Sequence, residues 1–181
     1  MNPIRIIFVL SVMISLIPTM ALSQNTPESA VHLYCSLDGY GAGYSNNQEH
    51  RKEFNNAQID SVENAWDEST IIRDYEIIEI NQAHGNAEVT VLYNVLGVIS
   101  SDLSVNSSVS SEKVVFNVIR TDGVWKIDHS ELGPHITKSG ILKILKEQRS
   151  DAIKKAQISN NKQIGDPLTR LENAIDIIEK W

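Results

Sequence analysis

Ile71 to Ile99 read IIRDYEIIEINQAHGNAEVTVLYNVLGVI, and the spacing in this stretch decides the fold. Ile71 to Ile80 is rich in β-branched side chains, and His84-Gly85-Asn86 supplies a turn. In Glu88 to Ile99, the apolar Val89, Val91, Tyr93, Val95 and Ile99 alternate with Thr90, Leu92 and Asn94. Successive strand residues point to opposite faces, so a period of two predicts a hairpin. Downstream, Lys113 to Arg120 and Val124 to His129 flank Thr121-Asp122-Gly123. An Asp-Gly pair between two alternating runs is a strong short-range hairpin signal. Four antiparallel strands are predicted. The Ser-rich stretch Ser100 to Ser111 between the hairpins reads as either a long connection or a mobile loop.

On both sides of this region the period becomes helical. Thr26-Pro27-Glu28 offers a capping hydroxyl, a ring already at helical φ and a carboxylate at the positive end of the helix dipole. Ala30, Leu33, Tyr34 and Leu37 then share one face, and the helix is predicted to end near Gly39. Gly39, Gly41 and Gly43 mark an irregular loop from Asp38 to Asn47, followed by a more polar helix from Glu49 to about Ile59, with Trp66 just beyond. After Pro134, Ser139 to about Ile158 is predicted helical, with Ile141, Leu142, Leu145, Ala152, Ile153 and Ala156 to one side. A polar link through Asn160, Asn161 and Gly165 leads to Asp166-Pro167, which opens a short amphipathic helix bearing Leu168, Leu171, Ile175 and Ile178. Helices, then strands, then helices define an α+β class.

The amino terminus has the three parts of a secretory signal: Arg5, the apolar run Ile6 to Ile17, and Ala21-Leu22-Ser23 with small residues at the first and third positions. The run is about 12 residues, short of the ~20 that a spanning helix needs. Residues 1–23 are therefore expected to be cleaved, giving a periplasmic or secreted protein with no membrane attachment; an uncleaved anchoring helix is the alternative. Removal of 23 residues from 181 leaves about 158, the size of one domain with one core. The mature charge is 15 basic against 23 acidic residues, about −8 with His neutral. Phosphate binding needs clustered Lys and Arg, so nucleic acid is not an expected partner. The lone Cys35 cannot form an internal disulfide and is expected to be buried and inert.

The segments Pro27 to Leu37, Trp66 before Asp74-Tyr75-Glu76-Ile77, Ala87 to Val98, and Val114 to Val118 with Trp125-Lys126-Ile127-Asp128 resemble the nuclear transport factor 2-like superfamily, over about Pro27 to His135. The resemblance implies a domain over 24–136 in which a curved antiparallel sheet wraps the first helix like a cone, leaving a pocket between them. That family includes ketosteroid isomerases, polyketide cyclases and dehydratases as well as secreted proteins without known activity. This chain departs from the family by its extra helical segment, 137–181, expected to cover the sheet or the mouth of the cone.

Within that expectation Tyr34 and Asp38, four apart on a helix, project in one direction. With Tyr93 and His129 they supply the group types of a ketosteroid isomerase site, a carboxylate base and hydroxyl donors. The plainer reading places Tyr34 in the core and leaves Asp38 solvated where the helix unwinds. Trp66, Tyr75 and Trp125 line a ligand cavity or fill the core. The five histidines, His32, His50, His84, His129 and His135, form no metal-binding spacing, and no cofactor motif is read. Asn106-Ser107-Ser108 fits a glycosylation acceptor in a eukaryotic pathway. The expected function is binding without catalysis, of a small apolar ligand or a protein partner, with a homodimer left open. The alternatives are an isomerase, cyclase or dehydratase using Asp38 and Tyr34, and a toxin-neutralising partner.

Overall fold

A computed structural model describes residues 24–45, 47–59, 67–128, 133–159 and 165–181. The expected signal peptide, Trp66 and His129 lie outside the described residues. Helix α1, Pro27–Gly39, opens on a capping box: the Thr26 hydroxyl accepts from the Ser29 amide at 3.1 Å, and the Thr26 amide donates back to the Ser29 hydroxyl. Such a cap is worth about 1 kcal/mol. A 3-10 turn at Ala42–Tyr44 leads to α2, Gln48–Asn56, and then to long strands β1, Glu68–Ala83, β2, Asn86–Ser100, and β3, Val105–Thr121. The short β4, Val124–Ile127, and β5, His135–Thr137, are followed by α3, Lys138–Ser159, and α4, Gly165–Glu179. Among the described residues no helix is long and apolar enough to cross a membrane.

The sheet runs β4-β3-β2-β1-β5 and is strongly curled into a half-barrel. Both predicted hairpin turns are present. His84 and Gly85 have φ of 52° and 136°, and Asp122 and Gly123 have 54° and 83°, the left-handed backbone that twisted two-residue hairpins require. Two expectations are corrected. The Ser-rich stretch is largely strand, because β3 starts at Val105 and pairs with β2 from Ile99 onward. The sheet also gains β5, which runs parallel to β1 with Thr70 opposite His135 and Thr137 opposite Ile72. Three residues are too few to show a period, so that strand has no sequence signature.

Helix α1 touches every strand. Its Ala30, Val31, Tyr34 and Cys35 pack with Ile72, Val89, Val91, Tyr93, Val95, Phe116, Val118, Trp125 and Ile127. A second cluster joins Ile71, Leu96, Ile99 and Ile136 of the sheet to Ile141 and Leu145 of α3 and Leu171, Ile175 and Ile178 of α4. The register slips between Val95 and Gly97, and this bulge swaps the two faces. Val89 to Val95 point at α1 on odd numbers, whereas Ile99, of the same parity, faces the terminal helices. Simple alternation puts Ile99 with Val95; the bulge sends it to the other core.

Gly97 sits where that swap occurs. A Cβ there would press on the Asn106 carbonyl and on the ring of Trp181, the last residue of the chain. We predict that Gly97→Val lowers stability by about 1–3 kcal/mol through overpacking. Urea unfolding checks this, and an unchanged midpoint would mean that neither the Asn106 carbonyl nor Trp181 lies against Gly97.

Candidate functional site

The last turn of α1 is fastened to β5 by buried polar contacts. Asp38 is 4% exposed, and its Oδ2 accepts from the His135 amide at 2.8 Å. One residue on, the Gly39 carbonyl accepts from the Thr137 hydroxyl at 2.8 Å, and the same oxygen of Thr137 accepts from the Gly140 amide at 3.1 Å. Thr137 thus ties α1 to the first turn of α3. Gly140 permits this approach, since a Cβ there would overlap the Gly39 carbonyl. The solvated reading of Asp38 is corrected: the glycine after it does end the helix, but β5 and α3 close over the end.

Around this junction a run of polar side chains leads from the α1 core out to the half-exposed Glu112. The His135 ring stacks on Tyr93, with centroids 4.2 Å apart and planes at 16°. The Tyr93 hydroxyl lies 3.1 Å from Cys35 Sγ, and His135 Nε2 lies 3.3 Å from Glu112 Oε2. Glu112 faces inward because it pairs directly with Tyr93 across β2 and β3. Burial sets the charge states. It pushes Asp38 up to about 7 against the opposing pull of the His135 amide, and raises Cys35 to about 12. It also lowers His135 against the nearby Glu112 carboxylate, which favours the neutral ring. Cys35 is buried and protonated at neutral pH, an inert thiol.

The aromatic candidates fill this space. Tyr34 is 6% exposed, stacked on Phe54 at 5.2 Å and edge-on to Phe116 at 5.4 Å. Tyr75 contacts His32 and Tyr93, with its hydroxyl 3.2 Å from His32 Nδ1. Trp125 is buried in the same cluster. The structure therefore brings Tyr34, Asp38, Tyr75, Tyr93 and Trp125 together as packing around α1. Tyr34 turns toward α2 and β3 while the Asp38 carboxylate turns to β5. Among the described residues no group of three or more His, Cys, Asp or Glu side chains is placed to hold a metal ion.

Among the described residues, three clefts lie elsewhere. A cleft of about 450 Å³ is bounded by the foot of α1, the 3-10 turn, α2 and α3. Tyr40 and Tyr44 line it at 69% and 44% exposure, together with Ile144 and the carboxylates of Glu53, Glu147 and Asp151. Gly41, at φ 70°, turns the chain out of α1, and its missing Cβ leaves room for Ile144. Ile144, Glu147 and Asp151 recur every three to four residues and so face the cleft from one side of α3. A second cavity of about 200 Å³ adjoins it behind Tyr44, Ile144 and Gln148. A third cleft, of about 530 Å³ at the hairpin end of the sheet, is lined by amide side chains such as Asn81 and Asn117 and by no aromatic ring. None of these three is lined by Tyr34, Asp38, Tyr75, Tyr93 or Trp125. The sequence does carry a signal for the first cleft, two tyrosines inside a Gly-rich loop, which the loop's irregularity masks.

No family model, curated protein or solved structure matches the chain.

The Asp38 shift makes a prediction about pH. A carboxylate whose folded pKa is raised contributes stability in full below its unfolded value of about 3.8, and loses it as pH rises through about 7. Asp38→Asn keeps an acceptor for the His135 amide and removes the titration. Relative to wild type, the variant is expected to gain stability between about pH 4.5 and about pH 8, read by urea unfolding at both values. A difference that does not change with pH would show that Asp38 is not held in a desolvated site.

Proposed function

We propose that this chain is an exported binding protein of the nuclear transport factor 2-like kind, which takes a small ligand in the cleft at the foot of α1 and performs no catalysis on it. Support for the kinship is a strongly curled sheet around an amino-terminal helix capped by Thr26. The observation that carries the functional reading is the division of aromatic side chains. Tyr34, Tyr93, Phe116 and Trp125 are buried in the core between α1 and the sheet, whereas Tyr40 and Tyr44 stand exposed in a cleft large enough for a small molecule. A large exposed aromatic beside an open cavity costs solvation unless something covers it. An isomerase, cyclase or dehydratase working through Asp38 and Tyr34 would need both to converge on a substrate cavity, whereas Tyr34 packs on Phe54 and Phe116, Asp38 bonds the His135 amide, and neither lines any of the three clefts.

Native mass spectrometry of the protein recovered from its own compartment tests this reading. The expected species begins at Gln24 and carries a small-molecule adduct that is absent from Tyr40→Ala/Tyr44→Ala. An uncleaved chain would overturn export. A bare polypeptide mass, or an adduct indifferent to the double substitution, would overturn the cleft.

A further inference from the structure

We infer that the ligand of this cleft is an organic cation with a compact apolar body, held by its charge against Tyr40 and Tyr44; this rests on the cleft being the binding site. The walls supply the body's environment. Leu37, Ile144 and the two tyrosine rings form the apolar surfaces, and the left-handed turn at Gly41 places both rings on one loop. The rings also fix a preference of sign. The face of an aromatic ring is electronegative and attracts ammonium groups, whereas an anion over the same face is repelled.

The charged rim points the same way. Glu53 from α2 and Glu147 and Asp151 from α3 bring three carboxylates to the cleft from two elements. The opposing groups are Lys143 of α3 and His50 of α2, and with His neutral the rim carries an excess of two negative charges. Asp151 has Lys154 at 3.7 Å, one turn along the same helix, a loose and exposed pair that neutralises it only in part. Two further bases of α3 are engaged away from the cleft, Lys146 with Glu179 and Arg149 with Glu172, both on the side facing α4. The mature chain as a whole is acidic, so its long-range field also favours the approach of cations. A cavity of about 450 Å³ is within the range that holds small organic molecules, so a ring or branched chain bearing one ammonium group fits inside it.

Three probes with the same ring separate charge from apolar contact: benzyltrimethylammonium, benzyl alcohol and benzenesulfonate, titrated calorimetrically into the mature protein at low salt. The cation is expected to bind saturably and about tenfold or more tighter than the anion. Its affinity should fall about threefold to tenfold in Glu147→Gln/Asp151→Asn, and also as salt rises to about 0.2 M. Tyr40→Phe should retain binding and Tyr40→Leu should lose it, because only the former keeps the π face. All these positions are exposed, so the variants keep their fold.

Equal affinity for the three probes, or a preference for the sulfonate, overturns the inference. If that binding is still lost in Tyr40→Leu, the cleft remains a ligand site and only the charge assignment falls. Saturable binding by none of the three also overturns the inference. The adduct measurement, which requires no chosen probe, then decides separately whether the cleft binds anything.

Discussion

Everything in this structure hangs on one buried contact, the Asp38 carboxylate receiving the His135 amide. It joins the end of the first helix to the last strand, across most of the sequence. His135 and Thr137 sit in a strand of three residues, too short to hold itself by pairing with β1 alone. Asp38 from below and Thr137 reaching to Gly39 and Gly140 supply what that strand lacks. From this seam α3 follows β5 without an intervening loop, and α3 forms one wall of the cleft. A carboxylate removed from water is costly unless it is neutral or well bonded. At neutral pH Asp38 is near its midpoint, so the junction carries a cost that the surrounding packing must offset.

The two cores follow from the sheet's geometry. A sheet curled around α1 encloses limited volume, and Tyr34, Tyr93, Phe116 and Trp125 occupy it with large rings. The bulge at Leu96 then turns Ile99 to the opposite face, where the terminal helices cover it with their own apolar stripe. Were α3 and α4 removed, Ile71, Leu96, Ile99 and Ile136 would be exposed together, a contiguous apolar patch that water disfavours. The helices after the last strand therefore complete the fold. One of them, α3, also walls the cleft at the foot of α1, so the packing that closes one surface leaves a cleft beside it.

The regular elements are legible in the sequence because their signals are local. Thr26-Pro27 marks the start of α1 and Asp122-Gly123 the second hairpin, and both need only neighbouring residues to read. The alternation of Val89 to Val95 likewise gives the buried face of β2. What stays hidden is non-local. Glu112 reads as one acid in a polar run until the register with Tyr93 turns it inward. His135 reads as a residue beside a strand end until Asp38 reaches its amide. Asp38 itself looks solvent-exposed because a glycine follows it, and that inference fails because tertiary contacts, not helix ending, set its burial. Tyr40 and Tyr44 escape a sequence reading for the same reason: the wall they face belongs to α3, about a hundred residues downstream.

Following the side-chain carboxyl carbon of Asp38 by NMR as pH is varied tests the seam most directly. Desolvation raises the Asp38 midpoint to about 7, against the opposing pull of the His135 amide, so the expected result is a midpoint well above the ordinary carboxylate range. A midpoint near about 4, the ordinary carboxylate range, would mean that water reaches Asp38. In that case α1 is not sealed by β5, and the placement of α3 and of the cleft beside it would have to be abandoned.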